Sequence, residues 1–441
     1  MNKIASIFAT VAALAATGCT SYEIDMPDNP DAPVVGREVS TDVFYQANPR
    51  FYGDNDCIKG LTAQLSRIDG MDCNVLWVMP VFDPGQLNSI GSPYCVRDFT
   101  ALNPRYGTMA DMKELVNTAH SKGMKVILDW IANHTAWDCP WITEHPDWYV
   151  KDAGGNIAAA NGWTDVAQLD FSNPELRQAM KDAMLYWVDE LSIDGFRCDY
   201  ADGVPTDFWA DVIADIHAID PDAIMLAETA KTEYYTCGFD MIYDWNSSTT
   251  ISSAFKGGKP ADVVKEAQDA LAKVPAGKSI LRYVFNHDVA AENNVATMFG
   301  SPEGIPGAYV CASMLNGTPM IYDTMDIAGL SGTVSFFTYS TRTYSTELAE
   351  VYKEINAAFK ASGEVRRGQL ADFSTSSVVC FTRAIPGHNL LVAVNTTSSA
   401  QSVKTPIQLA GSAMTDLLDG TTGVAPVVID LEPYAYTILM N

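Results

Sequence analysis

Short apolar segments alternate with longer amphipathic segments along most of the chain. Eight of the short segments have the length and composition of buried parallel strands, and they lie at 43–46, 74–80, 125–134, 194–199, 223–228, 239–245, 279–288 and 318–323. Several segments between them have the 3.6-residue period of helices and begin with a cap residue or a proline, the clearest being 108–123, 173–191, 204–219 and 260–274. This alternation predicts an α/β fold, a (β/α)8 TIM barrel.

The pattern changes near residue 366. Beyond that point, β-rich segments such as SSVVCFTRA and NLLVAVNTT are separated by Gly, Pro, Ser and Asn turns. We therefore expect a barrel domain over residues 37–365 and a C-terminal antiparallel β-sandwich over residues 366–441.

The first residues have the pattern of a secretory signal. One lysine precedes an apolar stretch and then small residues that end at Cys19. The AATGC ending resembles a bacterial lipoprotein cleavage box, which implies a signal peptide over 1–18, a lipidated Cys19 and a polar tether over 19–36; the alternative is an ordinary signal whose cysteine is incidental. No later run reaches the ~18 apolar residues of a membrane helix. We expect an exported protein, anchored only by lipid, at the cell surface or in the periplasm.

Charge narrows the possible partners. The formal net charge of −26 repels nucleic-acid phosphates and anionic lipid head groups, so we expect no nucleic acid partner and leave neutral ligands open. Eight further cysteines permit disulfides in an exported chain, but their connectivity cannot be read from the sequence.

Polar residues at the ends of the predicted strands are the candidates for chemistry, because the active sites of such barrels lie where the strands end. They are Asp129, Asn133 and His134 at the third strand, Arg197 and Asp199 at the fourth, Glu228 at the fifth, and His287 and Asp288 at the seventh. Each alone is compatible with a structural salt bridge. Clustered carboxylates, however, repel one another and lose solvation, so their number favours a function.

Arg197 and Asp199 are two residues apart on a strand, so their side chains point to the same face. We expect the arginine to keep Asp199 ionised at neutral pH. An ionised carboxylate can be a nucleophile, and a second carboxyl group with a raised pKa can act as acid and then base, as in retaining glycosidases. Glu228 is the candidate for that second group, and Asp288 would hold sugar hydroxyls or favour a distorted ring.

The motifs DWIANH, GFRCD, LAE and FNHD, on the third, fourth, fifth and seventh strands, resemble the four sequence regions of the α-amylase family, glycoside hydrolase family 13. The resemblance covers roughly residues 40–441. It implies that Asp199 is the nucleophile, Glu228 the acid/base and Asp288 the transition-state stabiliser. It also implies an innermost sugar subsite, with Tyr94 as its stacking platform, lined by Tyr94, Asp129, His134, Arg197 and His287.

The family inserts a small domain after the third strand, which corresponds to about 135–170 here. This segment is rich in aromatic residues: Trp137, Trp141, Trp148, Tyr149 and Trp163. Aromatic faces stack on the apolar faces of sugars, so some of these residues are expected to build subsites, and Trp163 is our candidate. The alternative for each is that it only packs the insertion.

The chain departs from the family pattern just after the residue that matches the nucleophile. Many α-amylases have a Lys-His pair after the nucleophile, whereas this chain has Asp202 and Gly203, and the sequence ADGVP is closer to the neopullulanase and maltogenic branches.

Asn133 and Asp170 match two calcium ligands of many members, and the carbonyl near Gly203 would be a third. The resemblance thus implies a structural Ca2+, which favours such oxygen ligands; the alternative is that Asn133 and Asp170 only cap loops.

Together these observations predict an enzyme without an organic cofactor, a retaining hydrolase of α-1,4 bonds in α-glucan or maltooligosaccharide substrates. A 4-α-glucanotransferase would use the same carboxylates and differs only in the acceptor. A non-catalytic glycan-binding lipoprotein is the third possibility, and it predicts the loss of at least one catalytic acid, whereas all three are present.

Overall fold

The computed structural model of the protein describes residues 41–441. The predicted signal peptide, lipidated Cys19 and tether lie outside these residues. Among the described helices, none combines the length and apolar character that crossing a bilayer requires.

Eight parallel strands close into a barrel in chain order, and the eight predicted strands are confirmed. They are β1 Phe44–Ala47, β2 Val75–Val78, β3 Lys125–Trp130, β4 Gly195–Cys198, β5 Ile224–Ala227, β6 Met241–Tyr243, β7 Ser279–Tyr283 and β8 Thr318–Tyr322. The barrel closes by pairing of β1 with β8, with Phe44 opposite Met320. Inward-facing residues such as Trp77, Leu226 and Leu281 fill its interior. Outward-facing residues pack against the helices, which is why the strands read as continuous apolar runs.

Helices surround the barrel. They are α1 Cys57–Gly70, α2 Met109–Ser121, α3 Trp141–Glu144, α4 Pro174–Leu191, α5 Thr206–Ile219, α6 Trp245–Phe255, α7 Pro260–Leu271, α8 His287–Glu292, α9 Gly304–Met314 and α10 Thr346–Ala361. Their starts follow the capping signals in the sequence. Thr108 and Asp111 form a capping box at α2, and Asn173 caps α4 just before Pro174. After β5 the chain forms a 3-10 helix, Thr232–Cys237, where a regular barrel would have an α-helix.

Two elaborations rise from the carboxyl ends of the strands. After β2 an antiparallel pair forms from Phe82–Pro84 and Val96–Leu102. After β3, within the predicted insertion, a small sheet forms from His134–Ala136, Ala159–Ala160 and Trp163–Gln168.

Beyond α10 the chain forms the predicted antiparallel β-sandwich. Its strands are β9 Gln369–Asp372, β10 Val378–Ile385, β11 His388–Asn395, β12 Gln401–Lys404, β13 Ala413–Asp416, β14 Thr422–Val424, β15 Val428–Leu431 and β16 Tyr436–Met440. Six of them form one sheet in the order β9-β10-β11-β16-β13-β14, and β12 pairs with β15 in a second. Both sheets contribute to one core, for example Leu391 from the larger and Ile429 from the smaller.

Two buried arginines lie at the junction between barrel and sandwich. Arg366 donates from Nε and Nη2 to the carbonyl of Phe359 at 3.2 and 3.0 Å, in the last turn of α10. Arg383 donates to the carbonyl of Leu315, the C-cap residue of α9, and to the carbonyl of Gly368. Burial lowers the pKa of each to about 9. The negative ends of two barrel helices thus face these cations.

The eight cysteines of the described residues are all buried and free of disulfide bonds. They are Cys57, Cys73, Cys95, Cys139, Cys198, Cys237, Cys311 and Cys380.

Candidate active site

A cavity of about 500 Å3 opens where the barrel strands end. Seven residues singled out from the sequence line it: Tyr94, His134, Trp163, Asp199, Glu228, His287 and Asp288. Asp129 and Arg197 lie beneath them and have no exposed surface. Strand ends that are far apart in the sequence thus place these side chains around one cavity.

Arg197 is the centre of this cluster. The register of β3 and β4 sets it opposite Asp129, and its Nη1 donates to Asp129 Oδ1 at 2.6 Å and to Asp199 Oδ1 at 2.9 Å. Its Nη2 lies 2.7 Å from Glu228 Oε1, an ion pair whose angle is not that of a hydrogen bond. One guanidinium therefore holds three carboxyl groups together.

Aromatic side chains enclose the guanidinium. Its carbon lies 5.1 Å from the ring centre of Trp77 and 5.7 Å from those of Tyr94 and Tyr243. Tyr243 also accepts a hydrogen bond from Arg197 Nε at 3.2 Å. These rings exclude water and fix the plane of the arginine, which strengthens its interaction with the carboxylates.

Two opposing effects act on the pKa of Asp199, and the sequence-based expectation considered only one of them. Arg197 lowers the pKa of Asp199, as expected, but burial outweighs it and the net direction is upward. Burial and the neighbouring Asp199 and Asp288 likewise raise the pKa of Glu228, and burial raises that of Asp129 to about 7. Burial is the largest cause in each case, and the single Arg197 guanidinium that the three acids share does not offset it.

The two predicted catalytic acids are held differently. Glu228 Oε2 accepts the backbone N–H of Tyr200 at 2.7 Å, whereas Asp199 has a direct hydrogen bond from Arg197. Since a hydrogen bond from a cation favours the ionised form, the contact with Arg197 opposes the effect of burial on the pKa of Asp199.

A chain of hydrogen bonds fixes the histidine of the fourth motif. His287 Nδ1 lies 2.9 Å from Gln46 Nε2, and its Nε2 lies 2.9 Å from Tyr94 Oη. With the Gln46 amide donating, Nδ1 accepts and Nε2 carries the proton. Tyr94 Oη in turn donates to Asp129 Oδ2 at 3.0 Å. Burial lowers the pKa of His287 to about 3, so it is a neutral donor.

His134 is held in a similar neutral state. Its Nε2 lies 3.2 Å from the carbonyl of Tyr94, its Nδ1 lies 3.2 Å from Asn133 Nδ2, and burial lowers its pKa to about 4. Asp288 is the most exposed of the acids. It lies in the first turn of α8, with Oδ2 3.3 Å from His287 Nε2.

Trp163, the aromatic candidate for a sugar subsite, lines the cavity. Its side chain is 41% exposed within the cavity, and it packs edge-on against Tyr200 and His134. The other aromatic residues of the insertion mostly pack it: Trp148 and Tyr149 are buried, and Trp141 stacks on Phe99. For these residues the packing alternative describes what the structure shows.

Sequence reasoning missed two aromatic residues of the cavity. Trp245 is 43% exposed and lies just beyond β6, at the same end of the barrel as the acids. Its position as the last residue of the predicted strand 239–245 could have identified it. Phe336 packs edge-on against Tyr94 and His287 from the long segment after β8, where no sequence signal marked it.

The predicted calcium ligands make other contacts. Gln168 Nε2 donates to Asn133 Oδ1 and to the carbonyl of Asn133 at 3.0 Å, and to that of Leu169 at 3.2 Å. Asp170 Oδ1 accepts the N–H of Ser172 at 3.0 Å. Gly203 lies against Asn133, because a Cβ there would be 2.1 Å from Asn133 Oδ1. As arranged, Asn133 does not fit a calcium ion, since the Gln168 amide takes the oxygens with which it would coordinate one.

Comparison with known proteins agrees with this geometry. The model of the alpha amylase catalytic domain matches residues 38–161 and 143–368. Alpha-amylase 3 of Dictyoglomus thermophilum is 26% identical over 334 residues, which is 66% of this chain and 64% of that protein. The chain thus spans less than two thirds of this relative's length.

Solved structures show the same architecture. An alpha-amylase from Lactobacillus plantarum matches with a TM-score of 0.80 at 27% identity, over 91% of this chain and 99% of that one. The fold is also that of the noncanonic maltogenic alpha-amylase AmyB from Thermotoga neapolitana, with a TM-score of 0.78 at 24% identity, over 91% and 98% of the two chains. By the extent of the family match and the arrangement of its site, the chain belongs to the alpha-amylase family.

Proposed function

We propose that the protein is a retaining α-glucan hydrolase that cleaves α-1,4 bonds through a covalent glycosyl-enzyme on Asp199. The observation that carries this proposal is the shared guanidinium of Arg197, which holds Asp199 at 2.9 Å and Glu228 at 2.7 Å beside one cavity. Two adjacent carboxyl groups, one ionised and one protonated, are the chemical requirement of retention.

In the first step, protonated Glu228 gives its proton to the glycosidic oxygen while Asp199 attacks the anomeric carbon. The bond to the leaving sugar breaks as the ester to Asp199 forms. In the second step, Glu228 takes a proton from water, whose oxygen attacks the anomeric carbon and releases Asp199. Asp288, at the cavity mouth, and neutral His287 hold hydroxyl groups of the reacting sugar.

The lining of the cavity suits a neutral sugar chain. Trp163 and Trp245 expose aromatic faces to it, while the acids and neutral histidines offer acceptors and donors to hydroxyl groups. Assignment to the neopullulanase and maltogenic branches remains part of this proposal, as does anchoring of the exported protein by lipid at Cys19.

Product stereochemistry tests the proposal. NMR of maltotriose hydrolysis should show the α-anomer first, and a 5-fluoro-α-glycosyl fluoride should trap an ester on the peptide that contains Asp199. Release of the β-anomer, or a label on another residue, would contradict it. Longer chains as the main product at high maltotriose would indicate a 4-α-glucanotransferase instead.

A further inference from the structure

Arg50 is a buried cation whose side chain joins two loops at the carboxyl end of the barrel. It lies in the 3-10 helix Pro49–Phe51, which follows β1, and it is only 3% exposed. Its guanidinium donates to uncharged oxygens: Nη1 to the carbonyls of Gly91 at 2.6 Å and Phe337 at 2.9 Å, and Nε to the hydroxyl of Tyr106 at 3.1 Å. Hydrogen bonds from a cation are stronger than those between neutral groups, so this side chain binds both loops firmly.

The two carbonyls belong to loops from different parts of the barrel. Gly91 lies between the two strands of the antiparallel pair after β2, and Phe337 lies in the segment after β8. Because β1 pairs with both β2 and β8, the residues that follow β1 lie between these two loops. One nitrogen of Arg50 thus bridges segments that are far apart in the sequence.

Further contacts fix the guanidinium and the segment after β8. The guanidinium carbon of Arg50 lies 4.8 Å from the ring centre of Tyr339. Ser340 donates its N–H to the carbonyl of Arg50 at 2.8 Å, and Asn48 Nδ2 donates to the carbonyl of Phe336 at 3.1 Å. The segment after β8 is therefore held at several points, and Arg50 attaches the Gly91 loop to it.

Both loops contribute to the lining of the cavity. Ile90, Ser92 and Tyr94 come from the first loop, and Phe336 comes from the second. The Phe336 ring packs edge-on against Tyr94 and His287, with ring centres 5.9 and 4.9 Å apart, and Tyr94 stacks on His287 at 5.2 Å. These rings form one wall of the cavity, and the wall is complete only where the two loops meet.

Resting on the proposed function, we propose that Arg50 is a positioning residue for the sugar beside Tyr94. By holding the carbonyls of both loops, it keeps Tyr94 and Phe336 in contact and fixes the wall against which the sugar ring binds. The acids Asp199 and Glu228 are held by Arg197 instead. Loss of the bridge should therefore weaken sugar binding more than it slows the chemical step.

The test measures KM and kcat for maltotriose in Arg50→Met, which keeps a long side chain but removes its donors. We expect KM to rise roughly tenfold, the effect of one lost hydrogen bond to a charged group, and kcat to change by less than about threefold. A purely structural loss would behave differently, since a smaller folded fraction lowers the apparent kcat and leaves KM unchanged.

Two further substitutions keep the test decisive if Arg50→Met folds poorly. Arg50→Gln is too short to reach both carbonyls, so it should also raise KM. Arg50→Lys has three donors on one nitrogen and should restore most of the wild-type KM.

Arg366 provides a matched control. It is also buried, donates to the carbonyl of Phe359, and has its guanidinium carbon 3.6 Å from the centre of that residue's ring, but it lies at the junction with the sandwich. Arg366→Met should lower Tm and leave KM unchanged.

Binding is measured separately, so that failure of this inference is distinguished from failure of the proposed function. Calorimetric titration of maltotriose into Asp199→Asn, with and without Arg50→Met, should show a Kd about tenfold higher in the double variant. An unchanged KM and Kd, or a fall in kcat alone, would overturn the inference. A wild-type protein that binds maltotriose without cleaving it would refute the proposed function, and the Kd comparison would still decide the role of Arg50.

Discussion

The substitution Asp199→Asn should remove activity while changing the stability of the fold only slightly. The substitution keeps the shape of a side chain that accepts a hydrogen bond from Arg197 at 2.9 Å, but it removes the charge and the proposed nucleophile. We expect kcat for maltooligosaccharides to fall by at least about 10⁴-fold, as when other catalytic nucleophiles are removed.

The expected effect on stability is small and has two opposing parts. Replacing a charged acceptor by a neutral one weakens the hydrogen bond from Arg197 by about 1 kcal/mol. Removing one of three acids around one cation relieves repulsion, which reaches about 3 kcal/mol for carboxylates about 5 Å apart at an effective dielectric of about 20. Since the two effects oppose one another, the net gain in stability at pH 7 should lie between 0 and about 2 kcal/mol.

The pH dependence has a definite sign. Burial raises the pKa of Asp199 in the folded protein, so the folded state keeps its proton to higher pH than the unfolded chain does. Ionisation of this acid therefore costs stability as pH rises above its unfolded value near 4. The stability gained by Asp199→Asn should be absent below about pH 4 and should grow toward neutral pH.

The assay combines maltotriose turnover with thermal unfolding between pH 4 and 8. We expect a Tm equal to wild type or up to about 3 °C higher at pH 7. Asp207→Asn is the control. Asp207 lies on α5, outside the cavity lining, and is an exposed acid whose carboxylate pairs with Arg177 at 2.9 Å. Retained turnover, or a Tm more than about 5 °C below wild type, would refute the reasoning.

Three further outcomes follow from the same contacts. Arg197→Met should abolish activity and lower the free energy of unfolding by about 3–5 kcal/mol in urea titrations, because buried Asp129 and the partly buried Asp199 and Glu228 lose their cation; a loss below 1 kcal/mol would contradict this. Trp163→Ala should raise KM for maltooligosaccharides roughly five- to thirtyfold with little change in Tm, whereas Trp141→Ala should lower Tm and leave KM unchanged. Chelation with EDTA should leave Tm within about 1 °C of that in calcium, since the Gln168 amide already donates to Asn133 Oδ1, one of the predicted ligand atoms; a rise of several degrees with calcium would show that the ion binds.

The barrel could be predicted because its strands are buried on both faces, so that their apolar runs stand out from the amphipathic helices. The acids could be located because a strand end fixes where a side chain points. Asp199, Glu228 and Arg197 come together through the pairing of β4 with β5, which alternation along the chain implies.

Other features of the site could not be predicted, because they depend on contacts between residues that are far apart in the sequence. The net direction of the Asp199 pKa depends on how deeply the assembled barrel buries this side chain, which no local sequence pattern indicates. The Gln168 amide occupies the Asn133 oxygens from 35 residues away. Lys231 pairs with Asp202 from the neighbouring loop, and the sequence around Asp202 does not indicate this contact.

The arginines at the junction limit how the chain can be shortened. A protein ending at residue 365 would retain α9 and α10 but lose Arg366 and Arg383, leaving the carbonyls of Leu315 and Phe359 without these donors. It would also uncover the apolar surface that β10 and β11 protect. The sandwich is therefore a structural part of the barrel, and truncation at this point should yield an insoluble protein rather than a minimal enzyme.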